Sequence, residues 1–438
     1  MKHQSRVVRV SQVVTSLLLI LTITTHPVRA IVHHTLVVGF GTTCLIEGGV
    51  VTCFGSNAYR SMGLARDFTP FDEPVPLRGF VGVTGVKGIC LALWHACVYT
   101  ESGDALCAGS NGDFGLLGNP AGGAWSTTPI KPVGLDGITA KVACGAKHTC
   151  ALLTSGAVRC WGIDEEDALL NGAGGTDFAL TPAPAVGFEI GGAVDIEANG
   201  FTTCVLTVAG GVMCGGPGGF GNLGDGTKDD SPVFKQVSGL TSGVASIAVG
   251  SVHTCALKTD ASVYCWGFTG DNLMLLKQVQ VQSTPRLMAP LGTNVRSLVT
   301  GGHATAVIMK DGTVRVWGQN YNGELGLGFT IPLGAKELEG PTVVPGCNSV
   351  DEMSLGWGIP GAACLRTADR ALYCSGNPGL AGGATTKFTR VPGVGPNNTV
   401  STCVFTVYQP FEGAANAIHG RTTTLGFVCL ILSVIALI

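Results

Sequence analysis

The 438-residue sequence predicts an all-β fold, a seven-bladed β-propeller of four-stranded blades. Three observations carry the expectation. A short hairpin segment returns seven times at a nearly constant interval. A proline-marked edge follows most of these returns. The composition is rich in glycine and apolar residues and poor in charge.

The first hairpin positions are Cys44, Cys97, Cys150, Cys204, Cys255, Ala306 and Cys364, separated by steps of 53, 53, 54, 51, 51 and 58 residues. A fixed period of this size marks a repeat architecture and overrides the domain count that length alone suggests. Within one repeat, Lys141-Val142-Ala143-Cys144-Gly145 reads as a first strand and His148 to Leu153 as a second. Thr154-Ser155-Gly156 turns the chain, with Gly156 able to take positive φ, and Ala157 to Gly162 is the third strand. The fourth begins near Thr181-Pro182, since proline is tolerated only at strand starts and edges. The same edge recurs at Thr128-Pro129, Ser231-Pro232, Thr284-Pro285, Pro341 to Val344 and Val391-Pro392. Four strands per repeat of this length is a propeller blade. Charged residues are 13% of the chain, about half the usual share, and glycine is 66 of 438, about twice it. Many short buried strands joined by tight turns need that balance. The last blade is expected to be finished by Thr35 to Val38 or by Thr402 to Tyr408.

Both ends read as processing signals. Residues 1–30 have a basic start (Lys2, Arg6, Arg9), an apolar run from Val13 to Ile23 and a small-residue cleavage site at Val28-Arg29-Ala30, the pattern of a secretory signal. The rival reading is a membrane span, against which the shortness of the run argues. The propeller is expected over residues 31–409, a linker over 410–424 and a hydrophobic tail over 425–438. Small residues at Gly413-Ala414-Ala415, a polar spacer and a terminal apolar tail form the signal for a glycosylphosphatidylinositol anchor at Gly413. The alternative is a tail helix. The expected location is the secretory pathway and the extracellular face of the plasma membrane. With both ends removed, 21 basic residues face 29 acidic ones. No basic stripe appears, so nucleic-acid binding is not expected. Asn397-Asn398-Thr399 is a glycosylation acceptor at Asn397.

Of 17 cysteines, twelve form hairpin pairs: Cys44/Cys53, Cys97/Cys107, Cys150/Cys160, Cys204/Cys214, Cys255/Cys265 and Cys364/Cys374. Opposed residues of antiparallel strands have Cα atoms about 4.5–5.5 Å apart, within disulfide reach. Cys90 and Cys144 precede consecutive hairpins, and Cys347 and Cys403 flank the last repeat, so both leftover pairs are placed to close. Reduced core cysteines and a zinc site are the competing readings. Zinc needs four converging ligands, and a spacing of ten repeated in separate units does not converge. No metal or cofactor is expected.

The pattern His-Thr-x-Ala-Leu, a turn, then x-Val-x-x-Trp-Gly, in His148 to Gly162 and His253 to Gly267, resembles the regulator of chromosome condensation repeat. Val314 to Gly326 matches its second half and Asn222 to Thr227 its tail. The resemblance covers about residues 36 to 408 and implies a seven-bladed propeller. The cysteine hairpins resemble secreted members of that repeat family. Repeat one departs from the pattern at Thr42 and Phe54, repeat four at Gly215, and repeat five after Phe268.

No nucleophile or metalloprotease motif stands out, so no catalytic residue is assigned and an enzyme is not expected. His95, His148, His253 and His303 sit at corresponding repeat positions, which points to a structural role. The off-pattern aromatics Trp94, Trp125 and Trp357 are the candidate binding residues, with Trp125 in an inserted loop. These features describe a monomeric, non-enzymatic cell-surface or secreted scaffold that recognises a protein or glycan through propeller loops. The resemblance implies the alternative, a guanine-nucleotide exchange factor-like regulator of a small GTPase, which needs a cytosolic or nuclear location.

Overall fold

The computed structural model describes residues 33–55, 71–76, 80–174, 177–268, 281–331, 340–356, 361–377, 385–392 and 394–395. They form seven four-stranded antiparallel sheets, each with its strands in chain order. The first strands are Leu36–Val38, Val86–Leu91, Thr139–Cys144, Ala193–Asn199, Val244–Val249, Val295–Thr300 and Val350–Leu355. Each touches the first strand of the next blade, and Leu36–Val38 touches Val350–Leu355, so the ring closes around a central channel.

The burial pattern follows from this arrangement. Second strands such as His95–Thr100, His148–Leu153 and Ala304–Met309 are buried at every position, because a neighbouring blade covers each face. The outermost strand Trp125–Ile130 has no fully buried residue. The apolar clusters lie in the seams between blades. One joins Ala306, Ile308 and Val316 to Met353, Leu365 and Tyr373, and another joins Leu36, Leu45 and Phe54 to Cys364, Leu372 and Val391. Each fully buried Leu or Phe contributes about 1.5–3 kcal/mol, so the seams hold the ring.

Each third strand has a glycine of positive φ at its last or next-to-last position: Gly55, Gly109, Gly162, Gly216, Gly267, Gly318 and Gly376. A Cβ on Gly162 would lie 2.6 Å from the Lys147 carbonyl oxygen, and the register to the fourth strand shifts between Cys160 and Gly162. Only glycine lets the chain make that close approach and bulge outward.

Three expectations need correction. Blade seven is complete in itself, from Val350–Leu355, Ala362–Thr367, Leu372–Gly376 and Thr385–Arg390; Leu36–Val38 is the inner strand of blade one. The closing seam is therefore made by side chains. Glu352 accepts from the Thr35 and Leu36 backbone N–H groups at 2.7 and 2.9 Å, and Ser354 from that of Val38 at 2.9 Å. Second, Ala304 pairs with Gly318 as His148 pairs with Gly162, so His303 falls one residue before the repeat histidine position. Third, Trp125 lies in no inserted loop. It opens the outer strand Trp125–Ile130, opposite Ser110.

The described cysteines are oxidised. Six disulfides cross-link the second and third strands of blades one to five and seven. They are Cys44–Cys53, Cys97–Cys107, Cys150–Cys160, Cys204–Cys214, Cys255–Cys265 and Cys364–Cys374, each with Cα atoms 4.1 Å apart. That is closer than the 4.5–5.5 Å expected of opposed strand residues, and just under the usual lower end of disulfide reach, about 4.4 Å. A seventh, Cys90–Cys144, ties the inner strands of blades two and three, with Cα atoms 5.5 Å apart. Cys347 is also disulfide-bonded, to a cysteine outside the described residues. Covalent links of this number belong to an oxidising environment outside the reducing cell interior. Among the described residues no helix is long and apolar enough to cross a membrane.

Candidate binding face and central channel

The repeat histidines and tryptophans are seam locks. His95 Nε2 meets Thr149 Oγ1 at 2.6 Å, His148 meets Thr203 at 2.9 Å, and His253 meets Thr305 at 2.8 Å, each reaching one blade onward. Their Nδ1 atoms are buried without a partner, which fits the neutral tautomer that donates through Nε2. Burial pushes the His148 imidazole down to about 4. Burial, with a smaller push from a neighbouring histidine, brings His95 and His253 to about 3. They stay uncharged at neutral pH. Trp161 donates its indole N–H to the Leu116 carbonyl at 3.0 Å and Trp266 to that of Asn222 at 2.8 Å, again across seams.

The hairpin cysteines stand apart from any binding surface. Cys53, Cys107, Cys160, Cys214, Cys265 and Cys374 are buried on third strands, within the apolar clusters of the seams. Their bridges brace the blades without lining the channel. His95, Cys97 and Cys144 bring their ligand atoms within 4.8 Å of one another. Both sulfurs are held in disulfides, so this trio offers no thiolate to a metal.

The channel is walled by the inner strands, including Leu36, Ile89, Val142, Ala198, Ala248, Leu298 and Leu355, around a cavity of about 140 Å³. Sequence reasoning did not single out its buried charge cluster. Lys141 Nζ donates to Asp195 Oδ1 at 2.8 Å and to Glu197 Oε1 at 2.6 Å. His34 Nε2 lies 3.4 Å from the same Glu197 oxygen, and His33 Nδ1 meets the Tyr99 hydroxyl at 2.9 Å. Burial alone would raise Glu197, but Lys141 and His34 outweigh it and hold the carboxyl at about 2. Burial would lower the Lys141 ammonium, yet Glu197 and Asp195 raise it. The charged groups of this cluster face one another, so it is a closed structural network. The readable signal was a lysine and two carboxylates on the inner strands of adjacent repeats.

Alternation of strand direction gives the ring two faces. Second-to-third turns and blade-to-blade connections lie on one, here the hairpin face. First-to-second and third-to-fourth connections lie on the other, the loop face. Trp94 and Trp125 are both on the loop face. Trp94 is half-buried under the Lys147 ammonium, 5.6 Å from its ring centre, and Lys147 also bonds Glu165 at 2.7 Å. Trp125 is 42% exposed. Trp357, Asn397, Cys403 and Gly413 lie outside the described residues. Every exposed aromatic side chain among the described residues (Phe114, Trp125, Phe178, Phe220 and Phe329) is on the loop face. Phe114 and Phe178 meet edge-on across the seam of blades two and three, 6.1 Å apart, and Phe220 and Phe268 across that of blades four and five, 5.6 Å apart. The phenylalanines escaped sequence reasoning because they occupy ordinary loop positions of the repeat.

A family model for the regulator of chromosome condensation (RCC1) repeat matches residues 140–166, 244–272 and 295–324. The ultraviolet-B receptor UVR8 of Arabidopsis thaliana is 28% identical over 319 residues, covering 72% of this chain and 70% of the receptor. The human E3 ubiquitin-protein ligase HERC2 is 29% identical over 245 residues, which are 54% of this chain but 5% of the ligase. Yeast RCC1 (Prp20), in its crystal structure with Kap60, superposes with a TM-score of 0.69 at 17% identity, over 89% of this chain and 91% of that one. Human WBSCR16 superposes at 0.63 with 20% identity, over 75% and 85%. The chain is a seven-bladed β-propeller that carries RCC1-type repeats at residues 140–166, 244–272 and 295–324.

Proposed function

We propose that this propeller is a non-enzymatic binding scaffold of the secretory pathway, displayed outside the cell, that recognises a protein or glycan through its loop face. The observation that carries the reading is the confinement of the exposed aromatics to that face among the described residues. A rigid ring presenting clustered aromatic anchors is a recognition surface. The disulfides among the described residues favour the oxidising side of the membrane. RCC1-type propellers of known structure include one bound to a protein, Kap60, in keeping with a scaffold. The exchange-factor reading needs a reducing compartment, which this disulfide set does not favour.

The last described strand, Thr385–Arg390, ends on the hairpin face, which suits an anchor at Gly413 that holds that face toward the membrane and a loop face that points away from it. The test is expression of an internally tagged full chain. Surface labelling and release by phosphatidylinositol phospholipase C are expected, and retention inside the cell with free thiols overturns the location. A glycan array and a panel of ectodomains, probed with the released chain and with Phe220→Ser and Phe329→Ser variants, then tests the face. Binding that these variants leave unchanged, and that Ile190→Ser on the hairpin face abolishes, overturns it.

A further inference from the structure

The loop face is patterned as well as aromatic. Over three successive seams it reads aromatic, acidic, aromatic. The first seam holds Phe114, Phe178 and exposed Leu180, with Gly115 packed so close to Leu180 that a Cβ there would clash. The third holds Phe220 and Phe268. Between them the Glu165–Asp167 loop of blade three packs on the outer strand of blade four, where Gly172 N–H donates to the Pro232 carbonyl at 3.0 Å. The loops that meet there carry Glu165, Glu166, Asp167 and Asp177 on blade three and Asp229 and Asp230 on blade four; the Asp230 charge reaches Glu166, and the Asp177 carbonyl accepts from the Asp164 N–H at 2.7 Å. Glu165 takes Lys147, while Glu166, Asp177, Asp229 and Asp230 have no ion pair among the described residues. The crowding registers on Glu166, whose carboxyl is raised by burial and by the Asp230 and Glu165 charges.

We propose that this sector of the loop face, over blades two to five, docks a basic polypeptide segment. Its cationic middle lies on the acidic seam and its apolar side chains pack on the two phenylalanine pairs. The proposal rests on the loop-face reading above and names the partner class. Charge complementarity selects the occupant. A cationic segment neutralises carboxylates that repel one another, whereas an anionic glycan or a second copy of this acidic face adds to the repulsion. Edge-on aromatic pairs accept aliphatic, aromatic and arginine side chains alike.

The test uses the released full chain and a short synthetic peptide carrying a central arginine run with a tryptophan or leucine near each end. Its controls are the same peptide with glutamate for arginine, and a peptide with the apolar anchors removed. Binding is read by fluorescence anisotropy at about 50 and 200 mM salt. The basic, anchored peptide is expected to bind, with weaker binding at the higher salt. Glu166→Lys/Asp230→Lys, Phe114→Ser/Phe178→Ser and Phe220→Ser are each expected to weaken it about tenfold or more, the equivalent of about 1.4 kcal/mol. Glu47→Lys/Glu189→Lys, an equal charge change on the hairpin face, is expected to leave it unchanged. Thermal unfolding of all variants checks that they fold. Equal losses from both charge variants, or none from the phenylalanine variants, reduce the binding to nonspecific attraction and overturn the proposal. A neutral oligosaccharide, or a second copy, that binds in a phenylalanine-dependent way while the peptide does not also overturns it, yet leaves the loop-face reading standing.

Discussion

Replacing Lys141 with methionine tests the physics of the channel wall. At an effective dielectric of about 20, each contact of the Lys141 ammonium, at 2.8 and 2.6 Å, is worth about 6 kcal/mol gross. Desolvating three ions, at several kcal/mol each, offsets most of that, so the intact triad is close to neutral for stability. Removing only the lysine is different, because it strands Asp195 and Glu197 as buried like charges. The expected loss is about 3–5 kcal/mol of unfolding free energy at neutral pH. The Glu197 carboxyl gives a second route to the figure. It is held at about 2 against an ordinary 4.5, so its ionisation contributes about 3 kcal/mol above the unfolded pKa, lost as pH falls through the folded one. In Lys141→Met the sign reverses. Without the lysine, burial raises the folded Glu197 pKa above its unfolded value, so the deficit is largest at neutral pH and shrinks on acidification. Denaturant unfolding with the disulfides intact, at about pH 7 and about pH 5, measures both. Lys141→Met/Asp195→Leu/Glu197→Met, which empties the triad of charge, is expected to recover most of the loss. A deficit under about 1 kcal/mol, or one equal at both pH values, refutes the reasoning.

Two further outcomes follow from the seams. The chain-entropy relation makes the Cys90–Cys144 link, which spans 54 residues, worth about 4 kcal/mol, and a hairpin link such as Cys255–Cys265, which spans 10, about 3 kcal/mol. Paired serine substitutions should order in that way in denaturant midpoints, and a larger loss from the hairpin pair contradicts the assignment. The buried neutral histidines have folded pKa values below their ordinary 6.5. Their contribution is therefore present above that value and lost as pH falls from about 6.5 toward about 4, by up to about 1.4 kcal/mol per pH unit for each. His148→Gln should flatten the stability–pH slope in that window by about one proton, and an unchanged slope shows that His148 is not buried neutral.

The blade count, the strand order and the hairpin register were legible because repetition averages out local ambiguity: the pairing of Cys150 opposite Cys160 recurs at Cys53, Cys107, Cys214, Cys265 and Cys374, each facing its second-strand partner. The ring closure was not. Leu36–Val38 is too short to announce whether it completes the last sheet or starts the first, and only the pairing partners of Val350–Leu355 and Ala362–Thr367 decide it. The blade-six register at Ala306 opposite Val316 was read correctly, but His303 stands three residues before that position, where His148 stands two before Cys150, and the resemblance of residue type masked the offset. Trp94 and Trp125 were visible as departures from the repeat. Phe114, Phe178, Phe220 and Phe268 were not, since their pairing joins residues from neighbouring blades. The Lys141 triad was hidden for the same reason: its charges stand 54 and 56 residues apart in sequence.

Because each sheet is drawn from one stretch of chain, the first and last blades meet as whole sheets, with no strand shared between them. The circle has no privileged starting point. New termini can be opened at any connection on the hairpin face and the old ones joined, with every sheet still made from the same contiguous residues.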